Sequence, residues 1–270
     1  MSGMRTSWLS PRTTLTIQEN EVHVWRADLD LPAAYLERLQ SLLSMEEVGR
    51  ADRFFFPKDR DHFIVSHACV RKVLSRYLET KPEQLSFVQN SHGKPALSTS
   101  SGDFDLEFNL THSHRFALVA VTKGMRVGVD VELIRNNFGG LNIAQRFFSP
   151  AEFRTLSSLP EEQQSKAFFR CWTQKEAYIK AKGLGLSLPL DEFDVSVDPG
   201  EPTALLNSRS DPGETARWSL IKVDPATGYS GAVAVEGHSL ALKCWNWNPE
   251  IDIPHPTEFK LSNHGAENFR

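Results

Sequence analysis

Hydrophobic positions along the chain recur with two periods, and the period switches mark the elements. Val22–Arg26 (VHVWR) alternates and predicts a strand. Ala33–Leu43 carries Leu36, Leu39 and Leu43 at helical spacing, and Glu46–Phe56 and Phe63–Leu78 predict two further helices, the last with Ile64, Ala68, Val73 and Tyr77 on one face. Leu85–Val88 and Phe116–Val121 read as strands, separated by the Gly/Ser/Asp-rich stretch Ser98–Asp103. Val127–Leu133 (VGVDVEL) alternates again. Ser149-Pro150-Ala151-Glu152 is a capping box with proline at the first helical position, so a helix starts there. A longer helix is predicted from near Pro160 through Phe168, Trp172 and Ile179. Gly183 stops it, with Lys180 and Lys182 in its last turn. Phe193–Val197, Trp218–Val223 and Ser230–Val235 complete the strands, and the polar segment from about Asn248 predicts a loose tail. Helices and strands mix without strict βαβ alternation, which favours an α+β fold over a doubly wound sheet. No internal repeat is visible by eye, although the order strand, helices, strands recurs coarsely in both halves.

The 270 residues allow one large domain or two small ones. Charged residues are 24% and the formal net charge is −4. A disordered polyelectrolyte is thereby excluded, and a protein built to grip DNA is disfavoured. Cys69, Cys171 and Cys244 are scattered and form no CxxC, so buried thiols in a reducing compartment are expected. Phe116–Val121 is an apolar run of six residues, far short of the ~20 a membrane span needs. No secretory signal is visible in the first fifteen residues, and a cytoplasmic location is the expectation.

Five groups of residues could carry chemistry. Asp130 and Glu132 lie two apart on a predicted strand and so share a face, with Val129 and Val131 on the other. Paired carboxylates suit a hard cation such as Mg²⁺, which binds one or two of them plus substrate phosphates. A half-exposed strand with a polar outer face would look the same. In Trp172-Thr173-Gln174-Lys175-Glu176-Ala177-Tyr178-Ile179-Lys180, Glu176 and Lys180 share a helix face, where they could serve a metal and a phosphate or merely pair at the surface. His112 and His114, in Asn109–His114, precede the strand from Phe116. His112 could donate to a phosphate, and a metal site here lacks further ligands. Gly93-Lys94-Pro95 forms a stiff turn that would hold Lys94 outward. Arg50 and Arg53 sit before three phenylalanines, followed by Lys58 and Arg60. Asp52, Asp59 and Asp61 among them fit a solvated face equally well.

Taken in order, these groups resemble a known family. Gly-Val-Asp-x-Glu ending at Glu132, followed forty residues later by W-T-x-K-E-A-Y-x-K-A-x-G, resembles the paired signature of the 4′-phosphopantetheinyl transferases. The larger monomeric type, which activates peptide and polyketide synthases such as surfactin synthetase, is the nearest in pattern. Gly93-Lys94-Pro95 and Asn109-Leu110-Thr111-His112 resemble that family's two upstream motifs, and the stretch from Arg50 resembles its helix near the coenzyme. The resemblance spans roughly Val22 to Val235.

It implies two similar α/β subdomains in a pseudo-twofold arrangement with coenzyme A at their junction. On this chain that means an extension over 1–20, an N-terminal subdomain over 21–124, a C-terminal subdomain over 125–248 and a tail over 249–270. The implied reaction moves phosphopantetheine from coenzyme A to a serine of an apo acyl or peptidyl carrier protein. It leaves adenosine 3′,5′-bisphosphate. Asp130, Glu132 and Glu176 would hold Mg²⁺, Lys180 would contact a phosphate near it, and Glu176 is the base for the carrier serine. Arg50, Lys94, Thr111 and His112 would bind the coenzyme. Thr111 stands where Ser is frequent, and Thr173 where Ser or Cys is usual. The segment Ile134–Phe148, with Phe138, Leu141, Ile143, Phe147 and Phe148, and the cations Arg135 and Arg146 are candidate carrier contacts, though the aromatics could equally be core. A monomer is expected. A non-catalytic coenzyme A or carrier binding module would keep Lys94, His112 and Arg50 without the carboxylates. Another Mg²⁺-dependent phosphoryl enzyme would want a denser acidic cluster.

Overall fold

Alternation along the strands sorts the side chains onto two faces, and the chain stacks in layers accordingly. The computed structural model describes residues 6–11, 15–98, 105–136 and 139–252. Phe138, the segments 1–5, 12–14 and 253–270, and residues 99–104 lie outside them. The first half runs β1 (Glu21–Asp28), α1 (Ala33–Gln40), α2 (Met45–Ala51), α3 (Pro57–Leu78), β2 (Phe87–Gln89), β3 (Pro95–Leu97), β4 (Leu106–Ser113) and β5 (Phe116–Lys123). The second runs β6 (Val127–Leu133), α4 (Gly140–Phe147), α5 (Pro150–Ser158), α6 (Glu161–Lys182), β7 (Phe193–Val195), β8 (Leu205–Ser208), β9 (Trp218–Lys222) and β10 (Tyr229–Glu236). β11 (Ala241–Asn246) and the short α7 (Pro249–Asp252) close the described chain.

One sheet has the order β11-β1-β5-β4 and the other β6-β10-β9. Val22 and Val24 of β1, Leu118 and Ala120 of β5, Val127, Val129 and Val131 of β6, and Val233 and Val235 of β10 form one apolar cluster between the sheets. The opposite faces pack under helices: Trp25, Ala27, Ala117, Val119 and Val121 against α1–α3, and Ala232 and Ala234 against α4–α6. The four layers make a mixed α+β fold of two subdomains.

The halves repeat one plan. In each, the first strand pairs antiparallel with the last, and the last with the one before it: β1-β5-β4 and β6-β10-β9. α3 and α6 are each 22 residues long. Ser44 caps α2 in a capping box with Glu47, and Ser149 caps α5 with Glu152. Each boxed glutamate then binds a buried cation of the long helix. Glu47 takes Arg71 at 2.6 Å, and Arg71 also donates to the carbonyls of Pro82 and Leu85. Glu152 takes Lys175 at 2.8 Å, and Lys175 donates to the carbonyls of Leu190 and Phe193. The repetition lies in contacts rather than in residue identity, which is why inspection of the chain finds none.

Most predicted elements form, with shifted ends. α3 begins at Pro57 rather than Phe63, and α2 ends at Ala51 rather than Phe56. Asn109–Ser113 belongs to β4, and β11, which extends the first sheet in parallel register with β1, has no counterpart among the predicted strands. The three cysteines are buried and form no disulfide with one another.

Candidate active site

Gly128 sets the spacing on which the site depends. A Cβ there would lie 2.2 Å from the Ala177 carbonyl oxygen and 2.3 Å from the Ala181 nitrogen, so β6 and α6 touch backbone to backbone. Asp130 and Glu132 follow on the same face of β6. Glu176 and Lys180 are adjacent turns of α6. The closeness of helix and strand brings all four together.

β4, from the other half, locks the strand in place. Asn109, Thr111 and Ser113 share one face of β4 and reach β6 in register. The Asn109 Oδ1 accepts the Val129 N–H at 2.9 Å, Thr111 donates to Asp130 at 3.1 Å, and Ser113 donates to Glu132 at 2.8 Å. Lys180 donates to Asp130 Oδ1 at 2.5 Å and to the Thr111 hydroxyl at 3.2 Å. Asp130 is 4% exposed, so the half-exposed polar strand is excluded.

Burial raises the pKa of Asp130 above the usual carboxylate range, against the pull of Lys180 and Thr111. Glu132 is raised by burial and by the charge of Asp130. Glu176 is raised by burial, then by Asp130 and Glu132. Carboxylates that raise one another's pKa in this way would be relieved by a cation placed between them. Asp130 Oδ2 adds a sharper observation, because it is buried with no hydrogen-bond partner. Among the described residues no three acidic, His or Cys side chains are close enough to enclose a metal as they stand. The Lys180 ammonium is the cation nearest Asp130 here. The donor set is all oxygen, and it fits Mg²⁺.

Two cavities meet at the turn Gly93-Lys94-Pro95. One, of about 290 Å³, is lined by Glu176, Lys180, Asn109, Lys94 and the glycines Gly183 and Gly185. The other, of about 820 Å³, is lined by Arg50, His67, Arg71, Phe87, Phe108 and Leu110. Gly93 and Pro95 line both. Arg50 is exposed at the large cavity, its guanidinium 5.3 Å above the Phe63 ring. His112 lies on β4 outside the lining of both cavities, and burial, then the charges of His62, Lys180 and His67, lower its pKa.

Lys94 departs from expectation. It does not point outward. Its Nζ donates to the carbonyls of Val127 at 3.0 Å and Ala181 at 3.3 Å. Thr111, expected at the coenzyme, spends its hydroxyl on Asp130 and Lys180. Lys58 and Arg60 pair with Asp30, Asp52 and Asp61 as a solvated face does. Of the carrier segment, Phe148 is core and Ile143 packs against it, while Leu141 and Phe147 are exposed. Arg146 lies over Phe147 and Arg135 over Phe169. Asn109, Ser113 and Gly128 were not singled out from the sequence. The alternation Asn-x-Thr-x-Ser over 109–113 is the signal that marks the first two as one strand face.

The chain is built of two repeated α+β halves with a carboxylate cluster and a cavity at their junction, and the comparisons give this architecture a family. Residues 126–234 match the 4′-phosphopantetheinyl transferase superfamily, and residues 31–124 match the family described as 4′-phosphopantetheinyl transferase, N-terminal. The chain is 39% identical over 241 residues to the 4′-phosphopantetheinyl transferase HetI of Nostoc sp., covering 89% of this chain and 98% of that protein. It is 33% identical to the 4′-phosphopantetheinyl transferase psf-1 of Bacillus pumilus, over 78% of this chain and 88% of that one. It is also 33% identical to the 4′-phosphopantetheinyl transferase Sfp of Bacillus subtilis, over 59% and 68%. The chain belongs to the 4′-phosphopantetheinyl transferase family. No described helix is long and apolar enough to cross a membrane.

Proposed function

We propose that this chain transfers the 4′-phosphopantetheine arm of coenzyme A to a serine hydroxyl of an apo acyl or peptidyl carrier protein, with Mg²⁺ held by Asp130, Glu132 and Glu176. The observation that carries the metal assignment is the buried, unpartnered Asp130 Oδ2 among three carboxylates of raised pKa.

In the reaction the serine oxygen bonds to the phosphorus next to pantetheine, and the phosphoanhydride bond to the adenosine side breaks. Mg²⁺, when bound, supplies positive charge that offsets the charge developing on that anhydride. Glu176, beside the smaller cavity, takes the serine proton. Lys180 lines the smaller cavity beside Glu176 and meets the phosphates there. Arg50, at the larger cavity, grips phosphate oxygens as a planar fork. His112, on β4 beyond Leu110, offers a ring N–H to the coenzyme. Thr111 orients Asp130 and Lys180 rather than the coenzyme. The carrier docks over the segment after β6, where Leu141 and Phe147 are exposed and Arg146 lies over Phe147, and Arg135 and Arg146 are cations suited to an acidic partner helix. One chain supplies both halves of the site and acts as a monomer.

Intact-protein mass spectrometry tests this reading. The purified chain, Mg²⁺ and coenzyme A are incubated with apo carriers of fatty-acid, polyketide and peptide-synthetase type. A gain of one phosphopantetheine on a carrier is expected, and its absence on all of them, with coenzyme A still bound, would leave a binding module instead.

A further inference from the structure

The turn between β2 and β3 belongs to the N-terminal half, yet two of its polar side chains, Asn90 and Lys94, bond to the C-terminal half, while Lys94 also lies 4.0 Å from Glu107 of its own half. Asn90 Oδ1 accepts the backbone N–H groups of His92 and Lys94, each at 2.9 Å, and so organises the turn. Gly93 completes it at φ +84. The Asn90 amide then donates to the Gly183 carbonyl at 2.9 Å. Lys94 donates to Ala181 and Val127, as described above. The carbonyls of the last turn of a helix have no partner inside it and attract cations. The turn therefore caps α6 from across the molecule. Gly183 sits at φ +68°, and a Cβ there would crowd this cap, 3.0 Å from Asn90 Nδ2 and 3.4 Å from Lys94 Cδ.

The two acceptors of Lys94 lie on the two elements of the active site. Val127 opens β6, three residues before Asp130. Ala181 follows Lys180 directly and is little more than a turn beyond Glu176. One ammonium thus ties the strand of the carboxylates to the end of the helix that faces them. The same turn is the wall shared by both cavities, through Gly93 and Pro95. The matching hairpin of the C-terminal half, β7–β8, does nothing of the kind: Asn207 and Arg209 bond back to Asp194 within it.

We propose that Asn90 and Lys94 are positioning residues that couple the coenzyme cavity wall to the alignment of Glu176 and Lys180, rather than contacts to a coenzyme phosphate. This rests on the reading of the site as a transferase centre. Lys94→Met keeps the alkyl stem and removes the donor, and Asn90→Ala removes the second tie. With coenzyme A saturating, kcat should fall about tenfold or more in each, because small misplacements of catalytic groups are costly. The Kd for coenzyme A, by calorimetry, should stay within about twofold, and Lys94→Arg, which can still reach two carbonyls, should recover most of kcat. A raised Kd with kcat unchanged, or no change in either, would overturn the proposal. Hydrogen exchange of the amides over 179–185 needs no turnover. It should quicken about tenfold in Lys94→Met without coenzyme, and unchanged protection also overturns the proposal. If Lys94→Met does not fold, Asn90→Ala decides by the same criteria. If the unmodified chain transfers nothing, the functional reading fails by itself and hydrogen exchange still decides the latch.

Discussion

Gly128 and Ala177 approach so closely that a methyl group on the former would overlap the carbonyl oxygen of the latter, at 2.2 Å. Backbone atoms cannot yield as a flexible side chain can. Gly128→Ala must therefore push α6 away from β6 and take Glu176 and Lys180 away from Asp130. Overpacking of this kind costs about 1–3 kcal/mol or more in stability. The expected result is a lower urea midpoint with near-complete loss of transfer. Normal activity in Gly128→Ala would show that the helix can shift without harm.

Glu176 is a carboxylate whose ionisation the fold opposes. A raised folded pKa means that the native state holds its proton to higher pH than the unfolded chain does, so stability falls as pH rises through that range. Glu176→Gln removes the burden. At pH 8 without Mg²⁺ the variant should match or exceed the parent chain by a few tenths to about 1 kcal/mol, while its kcat falls by about 10² or more. Added Mg²⁺ should raise the melting temperature of the parent and not of the variant. A variant that remains active, or responds to Mg²⁺ as the parent does, would remove Glu176 from the metal site.

Thr111 serves both members of the Asp130–Lys180 pair. Thr111→Val keeps the shape and removes the hydroxyl. Because it strands part of a buried charged network, a loss of about 1–3 kcal/mol and a tenfold or greater fall in kcat are expected. Thr111→Ser should retain most of both. Equal loss in Ser and Val variants would point to the methyl group instead.

The parts of this architecture written in local chemistry could be read from the chain. The Ser149–Glu152 box, the Gly183 stop and the shared face of Asp130 and Glu132 depend on spacing within a few residues. What could not be read depends on distant partners. Asn109, Thr111 and Ser113 look like a polar loop until β6 supplies the groups they bind. Lys94 looks like a free cation in a turn, because its acceptors, Val127 and Ala181, lie far along the chain. β11 is short and half-buried, and only its parallel pairing with β1 makes it part of the sheet. Lys175, inside the W-T-x-K-E-A motif, is a buried structural cation whose partners Glu152, Leu190 and Phe193 lie outside that motif.

His23 sits in the N-terminal core, bonded to the Tyr77 hydroxyl at 2.8 Å and to Glu21 at 3.2 Å, and burial pushes its pKa down to about 4. The unfolded chain protonates this ring near pH 6.5, the native state only near 4. Stability is therefore complete above about pH 6.5 and declines as pH falls through the window to 4, by at most about 3 kcal/mol. Urea unfolding at pH 7, 5.5 and 4.5 should show this slope in the parent chain and a shallower one in His23→Gln. Parallel slopes would mean that the ring is charged in the native state or that other groups dominate.

The repeated buried pairs give the last prediction. Lys175 is fully buried and is satisfied by Glu152 and by the carbonyls of Leu190 and Phe193. Its neighbour in sequence, Glu176, faces the site on a different side of α6. Lys175→Met leaves Glu152 as a buried charge with no cation, a loss of about 3–5 kcal/mol. Glu152→Gln strands the ammonium in the same way. The double variant has no unpaired charge and should lose less than the two singles added together, so the cycle should show a coupling of about 1–3 kcal/mol. Arg71→Met and Glu47→Gln should behave alike in the other half, since Arg71 makes the same three kinds of contact. A Lys175→Met protein that folds normally but has lost only its chemistry would place Lys175 in catalysis and break the equivalence of the two halves.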